Sequence, residues 1–220
     1  MPLPVLIRQH LETAPPGALA EWLDARGLAY EVSLSWLDGV PEADGYRFVA
    51  SLGHDLSARD THVPAVAAER ALLARAIERD IPVLGLCYGG QVLAAALGAR
   101  VERAPVPELG WREIETDDDQ LIPPGPWLEW HYDRFQTPPG ARELARTPDA
   151  SQAFVLGPHL GVQFHPEATV EIVEGWARAD GVAADLAAPP ERRRAATAAA
   201  FRLFDAFLAR TSQFEKRLAS

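Results

Sequence analysis

A single cysteine, Cys87, stands in the run Pro82-Val83-Leu84-Gly85-Leu86-Cys87-Tyr88-Gly89-Gly90-Gln91. An apolar stretch of strand character leads into Gly-x-Cys-x-Gly, and residues of helical character follow. This is the cysteine form of a nucleophile elbow, a sharp strand-to-helix turn where flanking glycines allow close backbone approach. Such a turn sets sulfur at a helix N-terminus, where the dipole and free N–H groups favour thiolate. The Tyr88 N–H would then face an oxyanion forming on an attacked carbonyl. The same residues also suit a small buried cysteine in a tight turn.

A thiolate nucleophile needs a base, and the histidines are His10, His54, His62, His131, His159 and His165. His165 closes the apolar run Gly161-Val162-Gln163-Phe164-His165-Pro166-Glu167, where Pro166 bars the strand from continuing. Residues two apart in extended chain share a face, so Glu167 can reach the imidazole and orient it. Taken alone, this is a strand-ending His-Pro turn with a surface glutamate. Joined to the elbow, Cys87, His165 and Glu167 read as nucleophile, base and orienter.

Alternating elements must bring these residues together. Strands are expected at 4–8, 29–34, 46–52 and 82–86, and helices at 17–26, 64–79 and 88–97. That alternation predicts an α/β fold with a mostly parallel central sheet flanked by helices on both faces. After residue 100 a small antiparallel extension is expected: a strand over 111–116 and a hairpin of 153–156 with 159–165 turning at Gly157-Pro158. Helices are expected over 169–179 and 193–208, the last docking Phe201, Phe204 and Phe207 on the core. Trp127, Trp130, Tyr132 and Phe135 suit core filling, a pocket wall or a docking face. The chain reads as one domain over 1–220, with 187–220 a C-terminal helical extension and a candidate linker at 187–190.

Composition excludes several functions. The 220 residues carry 21 basic and 31 acidic side chains, a net charge of -10. Sequence-independent nucleic-acid binding draws on phosphate neutralisation, so nucleic acid is not expected as a partner. Seven basic against three acidic residues over 191–220 leave +4 there and -14 in the rest; Arg192-Arg193-Arg194 reads as a solvated helix start. No apolar run reaches the 18 or so residues of a membrane span, and no secretory leader is expected from the first residues. One thiol excludes a disulfide framework and multi-cysteine metal sites, and fits a reducing, cytoplasmic setting. Lys216 is the only lysine, which removes Schiff-base and P-loop chemistry. No metal or cofactor is expected.

The segments Gly-Leu-Cys-Tyr-Gly-Gly-Gln at 85–91 and Gly-Val-Gln-Phe-His-Pro-Glu at 161–167 resemble the paired signatures of class I (triad) glutamine amidotransferases. The similarity spans roughly residues 45 to 180 and is nearest to the glutaminase domain of GMP synthetase and its stand-alone relatives. Supporting stretches are Val49-Ala50-Ser51-Leu52-Gly53, Leu97-Gly98-Ala99-Arg100-Val101 and Glu108-Leu109-Gly110-Trp111. The resemblance implies a flavodoxin-like fold. It further implies that Cys87 attacks the glutamine carboxamide, His165 shuttles the proton, Glu167 orients His165, and ammonia leaves. By position Gly53 would supply the second oxyanion N–H and Gln91 would contact bound glutamine.

Leu52-Gly53-His54 stands where family members often carry Gly-Gly-Pro. His131-Tyr132-Asp133 resembles the family's His-Gly-Asp beside the glutamine α-carboxylate, with Tyr132 in place of glycine. That change suits a narrower pocket or a different γ-glutamyl compound. Only about forty residues follow the family segment, without a phosphate-binding loop, so a separate synthase or ligase is expected to take the ammonia. The competing readings are a stand-alone γ-glutamyl hydrolase and a non-catalytic binding module. Iodoacetamide or a glutamine-analogue electrophile is predicted to modify Cys87 in folded protein at neutral pH; peptide mapping that finds this thiol inert would favour the buried-turn reading.

Overall fold

The structure, a computed structural model, describes residues 2–180 and 189–218. Its first half alternates strands and helices: β1 (Val5–Gln9), α1 (Gly17–Ala25), β2 (Tyr30–Leu34), β3 (Val49–Ser51), α2 (Pro64–Glu78), β4 (Val83–Leu86) and α3 (Tyr88–Ala96). Then come β5 (Val101–Arg112), β6 (Glu115–Thr116), β7 (Trp127–Phe135), β8 (Arg142–Arg146), β9 (Ser151–Leu156) and β10 (His159–Val162). Helices α4 (Val170–Asp180) and α5 (Pro190–Leu218) close the described chain.

Among the described residues, eight strands form one sheet in the order β2-β1-β3-β4-β10-β9-β8-β6. From β2 to β10 neighbours run parallel, and β9, β8 and β6 extend the sheet antiparallel. The central strands are almost wholly apolar because both faces are covered. Ile7, Ala50 and Leu84 join Leu19 and Trp22 of α1 and Phe204 and Phe207 of α5 on one face. Leu6, Val49 and Val83 join Leu72 and Leu73 of α2 and Leu93 of α3 on the other. Period-two alternation within each strand therefore feeds two separate apolar layers. Strands β5 and β7 pair antiparallel as a ribbon of their own.

Helix α3 lies unusually close to the sheet, and glycine makes that possible. A Cβ on Gly89 would fall 2.0 Å from the Ser51 carbonyl oxygen, and one on Gly90 2.4 Å from that of Val162. A Cβ on Gly85 would meet the Gly89 carbonyl at 2.6 Å. The elbow thus rests on β3, β4 and β10 at once.

Several boundaries differ from the sequence expectation. The alternation over 111–116 straddles two strands, because β5 ends at Arg112 and β6 belongs to the large sheet. Strand β5 begins at Val101, although Pro105 and Pro107 lie within it. Its pairing with β7 is irregular between Arg103 and Glu108, where those prolines owe no ladder hydrogen bond. Strand β8 was hidden by its charged residues; only Leu144 and Ala145 are buried there. The hairpin is present, but β10 stops at Val162, and the chain leaves the sheet so that the His165 N–H bonds the Leu128 carbonyl at 2.9 Å. Helix α5 starts earlier and runs longer than expected, with Pro190 at its first position, where the absent N–H costs nothing. Of the candidate linker, 187 and 188 lie outside the described residues, as do 182–188 of the Ala/Pro/Arg-rich stretch.

Helical glycines make the prediction. Gly90→Ala should lower stability by about 1–3 kcal/mol, since its methyl has no room against the backbone. Gly175→Ala in α4 meets nothing within 4 Å and should raise it by about 0.5–1 kcal/mol. Denaturant unfolding of both variants reads the opposed signs.

Candidate active site

Cys87 joins β4 to α3 with φ 51° and ψ -107°, a left-handed conformation rare outside glycine. Hydrogen bonds on each side hold it: Cys87 N–H donates to Val162 O at 2.9 Å, and Gln91 N–H to Cys87 O at 2.9 Å. The thiol sits 5 % exposed in the wall of a cavity of about 510 Å³. The Gln163 amide Nε2 approaches Sγ at 3.9 Å, and the thiol contacts the Trp130 carbonyl at the same distance.

His165 lies between Cys87 and Glu167. Its Nδ1 is 2.8 Å from Glu167 Oε1, so the carboxylate fixes the ring orientation and leaves Nε2 for the thiol side. Burial opposes charging the imidazole, yet attraction from Cys87 and Glu167 outweighs it and raises the His165 pKa well above its ordinary value. Glu167 is held in turn by α1: the Ala18 N–H donates to its backbone carbonyl at 2.9 Å. Gly17, at φ +45°, could carry no Cβ there, since one would lie 2.2 Å from that oxygen. Trp176 of α4 closes the outer side, edge-on to His165 at 4.7 Å, with its indole N–H donating to Thr13 O at 2.8 Å.

Of the residues singled out from the sequence, Gly53, Cys87, Tyr88, Gln91, His131, Tyr132 and His165 all line this one cavity, and Glu167 stands behind His165. Gly53 abuts the imidazole, where a Cβ would come 2.9 Å from His165 Cε1.

Residues 61–173 match the family model for glutamine amidotransferase class-I, just over half of the chain. The chain belongs to the class I glutamine amidotransferase family. A GMP synthase (glutamine-hydrolysing) of Aeropyrum pernix is 41% identical over 109 residues, 43% of this chain and 21% of that protein. The chain spans about a fifth of the length of the curated relatives it matches. A glutamine amido transferase of Methylobacillus flagellatus superposes with TM-score 0.85 at 26% identity, covering 95% of each chain. A glutamine amidotransferase of Thermotoga maritima gives 0.82 at 25%, covering 96% of this chain and 98% of that one.

Against that family frame, the aromatic residues of β7 divide by face. Trp127 and Phe135 are core, 1% exposed each, whereas Trp130 and Tyr132 line the cavity. The Arg103 guanidinium lies 4.9 Å over the Tyr132 ring and 3.8 Å from Asp133 Oδ1. Asp133 also takes the Ser57 hydroxyl and Arg59 Nε. Gln91 Nε2 donates to the Asp133 carbonyl at 3.0 Å, which ties α3 to the cavity wall. The His131 ring is turned inward, fully buried, its Nε2 3.2 Å from both Glu108 Oε2 and Glu129 Oε2. Burial opposes its charge, but the two carboxylates raise its pKa to about 9.

Behind the elbow lies a second buried network. Arg8 Nε donates to Glu69 Oε2 at 3.3 Å, and the Ser51 hydroxyl to Glu69 Oε1 at 2.7 Å. His10 Nε2 is 3.3 Å from Ser51 Oγ and 3.5 Å from Glu69 Oε1. The His10 ring stacks on His54 at 5.5 Å, and Tyr88 meets both edge-on at 5.2 Å. The loop at 52–54, expected from the sequence to form part of an oxyanion hole, is therefore braced through His54.

Sequence reasoning passed over Arg8, Glu69, Glu108, Glu129, Gln163 and Trp176. A signal existed for Glu69: it falls on the apolar stripe of Val66, Leu72, Leu73 and Ala76, where a charge must be paired. Burial alone would raise its pKa, yet His10, Arg8 and Ser51 lower it to about 2. The folded value lies below the unfolded one, so this stability is present above the ordinary 4.5 and drains as pH falls toward 2. Glu69→Gln should cost about 3–5 kcal/mol at neutral pH by leaving Arg8 unpaired. Its stability should also fall less steeply than wild type across that acid window, as pH-dependent denaturant titration measures.

Proposed function

We propose that this chain acts as one glutaminase domain that hydrolyses the side-chain amide of glutamine and releases ammonia to a separate synthase or ligase. The supporting observation is a single constellation: Cys87 on its elbow and His165 beside it, both opening on one cavity, with Glu167 at 2.8 Å behind His165. Sγ, its proton already passed to His165, attacks the carboxamide carbon. The tetrahedral oxyanion lies toward the backbone N–H groups of Gly53 and Tyr88. His165 then protonates the departing nitrogen, so ammonia leaves and a γ-glutamyl thioester remains. Water, deprotonated by His165, attacks the thioester; glutamate departs and the thiol is restored.

Gln91, Tyr132 and Asp133 line the side of the cavity that would hold the α-amino and α-carboxylate groups, and His131 supports that wall from behind. A reducing, cytoplasmic setting suits a reaction that depends on a free thiol. The relatives named GMP synthase make an enzyme that aminates a nucleotide one acceptor to test.

A second reading, hydrolysis of γ-glutamyl amines or peptides, draws on the size of the cavity. Its volume of about 510 Å³ lies within the range that holds whole drug-sized ligands. A parallel assay of glutamine and γ-glutamyl amines separates the two. The proposal predicts glutamate and ammonia from glutamine, with kcat down at least about 10³-fold in Cys87→Ala. Full activity in that variant, or turnover of γ-glutamyl amines with none of glutamine, would overturn it.

A further inference from the structure

We propose that Glu108, Glu129 and His131 form a buried zinc site within the β5–β7 ribbon, separate from the proposed glutaminase chemistry. Register brings the three together. Glu108 of β5 is paired directly across from His131 of β7, and Glu129 lies two residues before His131 on the same face. One donor atom from each converges in a space within 4.8 Å, and all three residues are buried.

Three observations favour a cation over a plain ion-pair cluster. First, His131 Nε2 lies 3.2 Å from Glu108 Oε2 and 3.2 Å from Glu129 Oε2, yet forms a well-directed hydrogen bond with neither. Tetrahedral zinc with bonds of about 2.0–2.1 Å separates its ligands by roughly 3.3 Å, so the spacing is that of two edges of a coordination tetrahedron. Second, His131 Nδ1 is 3.0 Å from the Asp133 carbonyl. A metal-bound histidine usually engages its other nitrogen this way, which fixes the ring and leaves Nε2 for the ion. Third, the Glu129 carboxylate is fully buried, and among the described residues neither of its oxygens accepts a hydrogen bond, its one close contact being the His131 ring. The His131 imidazole 3.2 Å away is shared with Glu108, and one imidazole cannot neutralise two buried carboxylates.

The outer contacts fit as well. Glu108 Oε2 accepts from Gln152 Nε2 at 2.8 Å and from the Thr147 hydroxyl at 3.2 Å, which orients the carboxylate. Arg112 Nε lies 3.8 Å from Glu108 Oε1, on the Glu108 side of the cluster. Two carboxylates and one imidazole suit zinc better than magnesium or calcium, which prefer oxygen alone. Zinc displaces the imidazole proton on binding. Its place between the strands would lock β7, which carries Tyr132 and Asp133 to the cavity.

The test uses the full chain as Cys87→Ser, so that the thiol cannot act as a competing ligand. Chelator-stripped protein is titrated with zinc chloride by calorimetry, and metal content after gel filtration is measured by mass spectrometry. One zinc per chain is expected, with a higher melting temperature. Adding Glu129→Gln or Glu108→Gln should weaken binding at least 10-fold while unfolding stays cooperative. X-ray absorption should show nitrogen and oxygen ligands with one imidazole, a readout that stands even where a glutamine variant fails to fold. Absence of stoichiometric zinc, binding unchanged in both glutamine variants, or a spectrum with several imidazoles would overturn the site. So would a Glu129→Gln variant that melts higher with no zinc effect, which would assign a proton to Glu129 instead.

Discussion

The close approach of α3 to β10 is the constraint on which the site depends. Val162 O accepts the Cys87 N–H at 2.9 Å and lies where any Cβ on Gly90 would fall. Three residues on, past the end of β10, the chain reaches His165. The contact that forces Cys87 into its left-handed turn therefore also sets the start of the segment that delivers the imidazole. A strained backbone of this type costs on the order of 1–3 kcal/mol, and it persists because packing on three strands leaves no alternative. Apolar layers on both faces of the sheet supply that packing: Leu84 and Leu86 lie on one side of β4, Val83 on the other.

Charge is arranged around this frame in shells that hold one another. His165 sits between Cys87 and Glu167, and Glu167 is in turn pinned by the start of α1. On the far side of the elbow, Arg8 and Glu69 pair deep in the protein and reach Ser51 and His10, whose ring stacks on His54 beside Gly53. Buried pairs of this sort contribute little net stability, because desolvation offsets attraction, but removing one member is severe. Their geometric effect is larger. They hold a loop, a helix start and a strand end in fixed relation without adding bulk to the cavity.

Much of this was legible in the residue order. Gly85, Cys87 and Gly89 announce the elbow because their spacing has a steric reason, and His165-Pro166-Glu167 announces a strand end with a carboxylate in reach. Alternation of strands and helices up to residue 97 gave the parallel sheet for the same reason: period 2 and period 3.6 are physically distinct. The rest was hidden by pairing. Strand β5 contains prolines that single-strand rules forbid, and they are tolerated because the β5–β7 ladder is irregular there. Glu129 looks like an exposed charge until β7 is known to turn it toward Glu108. Arg8 sits in an apolar strand with no sign that α2 brings Glu69 to it. Such groups become visible only when their partners are known.

The central claim is that Cys87 carries the γ-glutamyl group in covalent linkage while His165, oriented by Glu167, moves the proton. The direct measurement is acid quenching of the protein during glutamine turnover, followed by peptide mass spectrometry. The account predicts one γ-glutamyl group on the Cys87 peptide, removable by hydroxylamine as a thioester should be, and accumulating when water attack is slowed. Glutamate production with an unmodified Cys87 peptide at every quench time, or an adduct on another residue, would contradict it.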